Sequence, residues 1–339
     1  LGKISKASGL CGLLQCGMLY FFGENEKEKS YMKDYIKIAR VDHWIKQLFI
    51  VPGMIFALFL TRNPITAAVV KDIVLALIST SFVASANYVI NEWLDAEFDK
   101  FHPTKKNRPV VSGNLKFHWV MTEYAVLGAL GLLIAWFISR PVFLMELWLF
   151  VMGILYNVKP FRTKEIPYVD VLSESVNNAI RLLIGWFAIS SGYLPPVSIV
   201  LGYWMGGAFL MATKRYSEYR MIADKELAGH YRRSFKYYTE KSLLISAFYY
   251  ALLSVFFCGV FMIKYKAELI IDIPIMCGLF SLYLNISYKE DSCAQKPEKL
   301  FHEKGLMLYL LVFIVITCIL MMVHIPGLEW IAGKDLLKL

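Results

Sequence analysis

The sequence predicts an all-α, polytopic membrane protein of about nine transmembrane helices, and three observations carry that expectation. Hydrophobic residues make up 57% of the 339 and charged residues only 19%, with a mean hydropathy of +0.50. Apolar runs of the roughly 17–25 residues needed to cross a bilayer core recur along the whole chain. Lys and Arg, finally, are gathered into alternate connections between those runs, as expected when alternate loops stay on one side of a membrane.

Taken in order, the apolar runs fall at 45–61, 73–90, 120–138, 141–157, 174–191, 195–213, 243–263, 268–288 and 306–324. The third and fourth meet at Ser139-Arg140-Pro141 and read as two helices or as one hairpin; the fifth carries Asn177 and Arg181 and is the most polar. Ahead of them, SGLCGLLQCGMLYFFG is apolar for about sixteen residues and then breaks into ENEKEKSYMKDY. No small-residue cleavage site follows it, so it reads as an interfacial helix with Lys3 and Lys6 at the headgroups rather than a signal peptide. Starting at Leu1 without Met, the chain reads as a processed or trimmed product of something longer. The expected division is an N-terminal segment over 1–43, a transmembrane domain over 44–326 and a short tail over 327–339.

Segments 1–43, 91–118, 158–173, 213–242 and 289–305 hold 27 of the 36 Lys and Arg, against 7 in the opposite loops and the tail. The positive-inside rule then places the first group, and the N-terminus, in the cytoplasm of a multi-pass inner or plasma membrane protein. This bias accounts for the net charge of +9 and calls for no nucleic-acid partner. The six cysteines, Cys11, Cys16, Cys258, Cys277, Cys293 and Cys318, show no CxxC and no zinc spacing with His, which argues against a disulfide framework or zinc site.

Two polar constellations stand where apolar runs reach basic loops. Asn91, Asp95 and Asp99 are four residues apart, a spacing that drifts only about 40° per step around a helix and so keeps them on one face. Two carboxylates and an amide suit Mg²⁺, which is usually shared between one or two carboxylates and substrate phosphates. Further on, Asp170, Glu174, Asn177 or Asn178, and Arg181 form a second stripe, preceded by the basic Lys159, Arg162 and Lys164. Arg181 lies deeper in its apolar run than the acids, where an ionisable group is a functional candidate.

These residues carry a resemblance. Asn91-x-x-x-Asp95-x-x-x-Asp99 followed by Asn107-Arg108-Pro109 and Gly113, with a second acidic helix after Tyr156 and Lys164, resembles the UbiA-type intramembrane prenyltransferase superfamily. RVDHWIKQLFIVPG at the first run and TKRYSEYR after the sixth extend the likeness over nearly the whole chain from about residue 35. It implies a nine-helix bundle with a cytoplasm-facing polar cavity, capped by loops, that uses Mg²⁺ to bind an isoprenoid or sugar diphosphate. Within the superfamily, Asp99 to Lys105 and Asp-His-Trp-Ile-Lys at 42–46 look most like the decaprenyl-phosphate phosphoribosyltransferase branch. Two features depart from that branch: Glu92 stands where Asp is usual, and the stretch from Tyr156 to Lys164 is longer.

The resemblance implies that Asp95, Asp99, Asp170 and Lys164 are catalytic, that Asn91, Asp95 and Asp99 hold one Mg²⁺, and that Asp170 with Glu174 hold a second or orient a ribose hydroxyl. Lys46, Lys105, Arg108 and Arg181, with Asn91, Tyr156, Glu174, Asn177 and Lys214, complete the expected contacts to a diphosphate donor and an isoprenoid lipid. Phosphoribosyl transfer to a polyprenyl phosphate is the leading expectation, and prenyl transfer to an aromatic or other small acceptor the alternative. A homo-oligomer is left open. Plainer readings stand beside these: the first stripe as a solvated helix end, Lys105 and Arg108 snorkelling to headgroups, Arg181 in an ion pair between helices, the loop 213–242 as an interfacial cap rather than a lid. A transporter would also use nine helices with intramembrane Arg and Asn, but no inverted repeat or broken-helix pair is evident.

Overall fold

The computed structural model of the protein describes residues 33–101, 105–111, 115–222, 225–289, 292 and 303–331. The expected N-terminal interfacial helix, His102 and Gly113 lie outside them. A 3-10 helix, Val41–Ile50, runs directly into α1 (Val51–Thr61), and α2 (Ala67–Asp99), α3 (Phe117–Ile138), α4 (Arg140–Asn157), α5 (Val169–Ile189) and α6 (Val197–Met221) follow. A short α7 (Lys225–Tyr231) precedes α8 (Glu240–Tyr265), α9 (Asp272–Ser287), α10 (Lys304–Met322) and α11 (Pro326–Ile331). Among the described residues eight helical stretches are long and apolar enough to cross a membrane. The ninth predicted span falls on α5, 21 residues long, whose charged stripe leaves it less apolar than those eight.

Two elements outrun their apolar windows, and both overruns build the site. Thr66 opens α2 by accepting from Val69 N at 3.3 Å, and the helix continues for 33 residues, about 50 Å at 1.5 Å per residue. A bilayer core is roughly 30 Å thick, so the last turns of α2, with Asn91, Asp95 and Asp99, project beyond the window read at 73–90. In the same way α6 continues to Met221, which puts Lys214, Arg215 and Glu218 on a helix face rather than in the expected loop. The apolar window marks where lipid surrounds a helix, not where its hydrogen bonds end.

The break between α3 and α4 resolves into two helices. Ser139 is extended and its hydroxyl accepts from Val142 N at 3.4 Å, while Pro141 fits the first helical turn, where its missing N–H costs nothing. Most central is α5, which packs against α1, α2, α4 and α6. Helical neighbours rather than lipid surround it, which is what permits its polar side chains. Its approach to α1 is close at two glycines: a Cβ on Gly53 would run into the carbonyl oxygen of Leu182, and one on Gly185 into that of Ile50. Over the polar end of the bundle, α7 and the 3-10 turn Arg233–Lys236 form a cap with its own core of Tyr216, Tyr219, Ile222, Tyr231, Phe235 and Tyr238.

Candidate functional site

The helices enclose a cavity of about 1140 Å³ that is polar at one end and apolar at the other. Its polar wall includes Asn91, Asp95 and Asp99 from α2, Glu174, Asn177 and Arg181 from α5, and Lys214 with Glu218 from α6. Down α6 the wall continues through Leu210, Gly206 and Tyr203 to Ile199, about 22 Å from Lys214 by helical rise. Across from it, Phe56, Phe261, Met276, Phe280, Leu310 and Phe313 complete an apolar limb.

The α2 stripe is held by cations from the neighbouring connections. Arg162 Nη2 donates to Asp95 Oδ1 at 3.1 Å and Lys164 Nζ donates to the same oxygen, while Arg108 Nη1 donates to Asp99. Asn157, at the end of α4, joins the set: its Oδ1 accepts from Asn91 Nδ2 at 2.5 Å and from Lys164 Nζ at 2.8 Å. Arg162 sits at φ 31°, in the left-handed region that costs a non-glycine residue about 1–3 kcal/mol. Its side chain holds it there by bonding Glu165 at 2.6 Å, the Asn157 carbonyl at 3.0 Å and Asp95. Burial draws the Lys164 ammonium down to about 8 against the opposing Asp95 carboxylate. Burial likewise brings Lys105, in the connection after α2, to about 8, with Glu218 opposing.

The α5 stripe is arranged differently. Glu174 faces the cavity and accepts from Tyr156 Oη at 2.8 Å and from Arg215 Nη2. Asp170 does not line the cavity. It is fully buried beneath the cap, accepting from Tyr238 Oη at 2.6 Å and Ser234 Oγ at 3.1 Å, with Arg215 Nε at 3.5 Å. The expected contact of Asp170 with a ligand therefore has no surface through which to occur, because the aromatic cap needs a buried acceptor and takes both of its oxygens. Arg181 pairs with no acid of its stripe; Nε donates to Gln47 Oε1 at 2.9 Å and Nη1 to the Asn177 carbonyl at 3.2 Å. Lys46 lies beside it on the 3-10 helix, with Nζ 2.9 Å from His43 Nδ1 and 5.6 Å from the Tyr88 ring centre.

Lys105 contacts Tyr231 of the cap, and Lys214 lies 4.0 Å from Glu174. Thus all of the sequence-predicted site residues except Asp170 meet in one cavity. The sequence reading missed Arg40, His43, Tyr88, Asn157, Glu218, Tyr231 and Arg232, which also line it. Glu218 was accessible: Lys214 and Glu218 repeat the four-residue spacing at a third junction of apolar run and basic loop. The cap residues had no such signal, since α7 reaches the cavity only through tertiary packing.

Among the described residues no three His, Cys, Asp or Glu side chains converge as a metal site. Asp95, Asp99 and Asn91 nevertheless fit Mg²⁺, which binds through one or two carboxylates plus substrate phosphates rather than an all-protein cage. Both contacts to Asp95 fall on Oδ1, and Asn157 engages the amide nitrogen of Asn91 rather than its oxygen.

A model of the UbiA prenyltransferase family matches residues 49–314. The chain belongs to that family. Decaprenyl-phosphate phosphoribosyltransferase of Mycobacterium tuberculosis is 27% identical over 208 residues, 61% of this chain and 67% of the relative. The corresponding protein of Mycolicibacterium smegmatis is 25% identical over 63% of this chain and 65% of its own, so the chain spans about two thirds of the length of these relatives. Protoheme IX farnesyltransferase of Shouchella clausii is 29% identical over 50% of this chain and 55% of its own. A solved UbiA homologue from Archaeoglobus fulgidus, bound to GPP and Mg²⁺, superposes with a TM-score of 0.65 at 20% identity, covering 86% of this chain and all of that one. The multi-pass UbiA bundle is thus established from both sequence and fold.

Proposed function

We propose that this UbiA-family protein transfers a 5-phosphoribosyl group from phosphoribosyl pyrophosphate to a polyprenyl phosphate within the membrane, with Mg²⁺ as its cofactor. The observation that carries this reading is a second, carboxylate-free basic zone in the cavity. Lys46 and Arg181 have no carboxylate at ion-pair distance among the described residues, and Arg181 is seven residues past Glu174, about 10 Å deeper along α5. A cation held in a membrane bundle without a counter-charge is costly, and an anionic ligand relieves that cost. Phosphoribosyl pyrophosphate and polyprenyl phosphate bring two anionic groups to one cavity, whereas a prenyl diphosphate and a neutral aromatic acceptor bring one. The named phosphoribosyltransferase relatives agree with this choice.

In this mechanism the sugar C1–O bond to pyrophosphate breaks, an oxygen of the acceptor phosphate bonds to C1, and pyrophosphate leaves. Asn91, Asp95 and Asp99 would hold Mg²⁺, which when bound supplies charge stabilisation for the departing pyrophosphate. Lys164, Arg162 and Arg108 re-aim from the carboxylates to phosphate oxygens and stabilise the leaving charge. Asn157 keeps Asn91 and Lys164 in register, and Lys46 and Arg181 hold the acceptor phosphate. The lipid tail takes the apolar limb, and the cap, with Tyr231 and Arg232, excludes water that would hydrolyse the donor. The mouth and the N-terminus face the cytoplasm in this reading, supported by the clustering of Lys and Arg in the connections on that side.

The apolar limb along α6 would equally take the tail of a polyprenyl diphosphate, which keeps prenyl transfer to a small acceptor as the second reading. Incubation of the purified protein with Mg²⁺ and either phosphoribosyl pyrophosphate plus polyprenyl phosphate, or prenyl diphosphates plus aromatic acceptors, followed by mass spectrometry, decides between them. Product from the first pair is expected. Turnover only with the second would overturn the donor assignment and leave the family unchanged.

A further inference from the structure

We propose that the protein binds a single divalent ion, at Asn91, Asp95 and Asp99, and that the guanidinium of Arg215 occupies the place of a second ion among Asp170, Glu174 and Glu218. This rests on the metal role given above to the α2 stripe.

Three carboxylates converge on one side chain. Arg215 Nη2 bonds Glu174, Nη1 bonds Glu218 Oε2 at 3.1 Å, and Nε lies 3.5 Å from Asp170 Oδ2. The same Nη2 also donates to Tyr156 Oη at 3.2 Å. The oxygen donors of α5 and α6 are thus spread about the three nitrogens of one guanidinium, and with it in place no three carboxylates among the described residues are set to hold a metal ion. Cations already outnumber the acids there: three carboxylates face Arg215, Lys214 at 4.0 Å from Glu174, Arg232 at 3.9 Å from Asp170 and Lys105 at 3.9 Å from Glu218. A divalent ion added to the cluster would leave it with excess positive charge in a buried setting.

The α2 stripe also has cationic partners, so the difference lies in whether they can leave. Asp95, Lys164 and Arg162 all line the cavity, and the two cations can follow an incoming phosphate while an ion takes the carboxylates. Arg215 is 1% exposed and does not line the cavity. A guanidinium stays protonated at any accessible pH, so displacing it would strand a charge in the bundle with no ligand to receive it.

The test counts Mn²⁺ bound to the full chain in detergent with inorganic pyrophosphate present, by equilibrium dialysis and low-temperature electron paramagnetic resonance. One ion per chain is expected, with the spectrum of an isolated Mn²⁺, and it should be lost in Asp95→Asn/Asp99→Asn. Two ions with an exchange-coupled spectrum would overturn the proposal while leaving the metal role of α2 standing. One ion that survives Asp95→Asn/Asp99→Asn and is lost in Glu174→Gln would overturn both, as would no bound ion at all. Arg215→Met removes the resident cation, and the folded variant should then bind two ions per chain. A folded Arg215→Met that still binds one would overturn the substitution of Arg215 for a metal; where that variant does not fold, the count on the unaltered chain decides alone.

Discussion

The stripes on α2 and α5 share one spacing and have opposite fates. Asn91, Asp95 and Asp99 stand at the end of a helix that projects past the bilayer core, with partners drawn from connections: Arg108 after α2, and Arg162 and Lys164 after α4. Asp170 and Glu174 begin a helix packed on every side, and their chief partner, Arg215, is fixed on another helix of the bundle. Loop-borne ammonium and guanidinium groups at a cavity wall can exchange a carboxylate for a phosphate, but a helix-borne guanidinium sealed among three acids cannot. On the function proposed above, a shared four-residue spacing serves a ligand site in one place and an ion cluster in the other.

The largest effect expected from breaking this contrast is on turnover. Asp95→Asn and Asp99→Asn each exchange an anionic oxygen donor for a neutral amide facing the cavity. Charge stabilisation of several kcal/mol is lost with the ion, so turnover should fall by about 10²-fold or more while the fold persists. Near-normal turnover of both variants at saturating Mg²⁺ would remove the metal role. Glu174→Gln should behave otherwise, lowering the thermal midpoint more than it lowers Mg²⁺ affinity.

Stability carries the next effect. Arg215→Met leaves Asp170 buried beside Arg232 alone and Glu174 without its guanidinium, and breaking a buried ion cluster by removing one partner costs about 3–5 kcal/mol. Arg108→Met removes one partner of Asp99, which is buried but lines the cavity, and Arg108 is itself part-exposed and held by fewer acids than Arg215, so this change should cost less. Thermal unfolding in detergent without ligand compares the two. A smaller loss for Arg215→Met than for Arg108→Met would erase the distinction drawn between the stripes.

Much of this was legible in the sequence because membrane helices must satisfy their backbone internally and advertise themselves by apolar length. Eight of the nine windows accordingly fell on helices long and apolar enough to cross a membrane, and the ninth fell on the more polar α5, among the described residues. Helix ends were less legible: Asp99 and Glu218 lie on helices that hydropathy would have ended at 90 and 213. The polar stripes were visible as periodicity, and all but one of the chosen residues reach one cavity. What spacing could not encode is the partner of each acid. Asp170 was indistinguishable from Asp95 until Tyr238 and Ser234, more than sixty residues away, were seen to take its oxygens.

A pH titration sharpens the comparison further. Lys105 and Lys164 lie in connections, and burial holds both near about 8. Each is charged below that value and neutral above it, so affinity for an anionic donor should be retained at neutral pH and weaken as pH rises through about 8. The sign for folding is opposite: a lysine whose folded pKa lies below its ordinary value binds fewer protons folded than unfolded, and stability rises between about 8 and its ordinary range. KM for the donor against pH, read beside the thermal midpoint, should show the two moving apart. Flat donor affinity between pH 7 and 9.5 would remove these lysines from phosphate binding.

The smallest effect concerns Arg181, which belongs to the α5 stripe by spacing but, like the α2 acids, faces the cavity. Its contacts are neutral, Gln47 Oε1 and the Asn177 carbonyl, so no carboxylate depends on it for charge balance. Arg181→Lys keeps the charge and loses the planar fork that grips a phosphate in bidentate fashion. The apo thermal midpoint should therefore change little, while the stabilisation conferred by polyprenyl phosphate shrinks. An ion pair between helices would give the reverse, a large apo loss with the ligand-induced shift intact, and that result would return Arg181 to the structural half of its stripe.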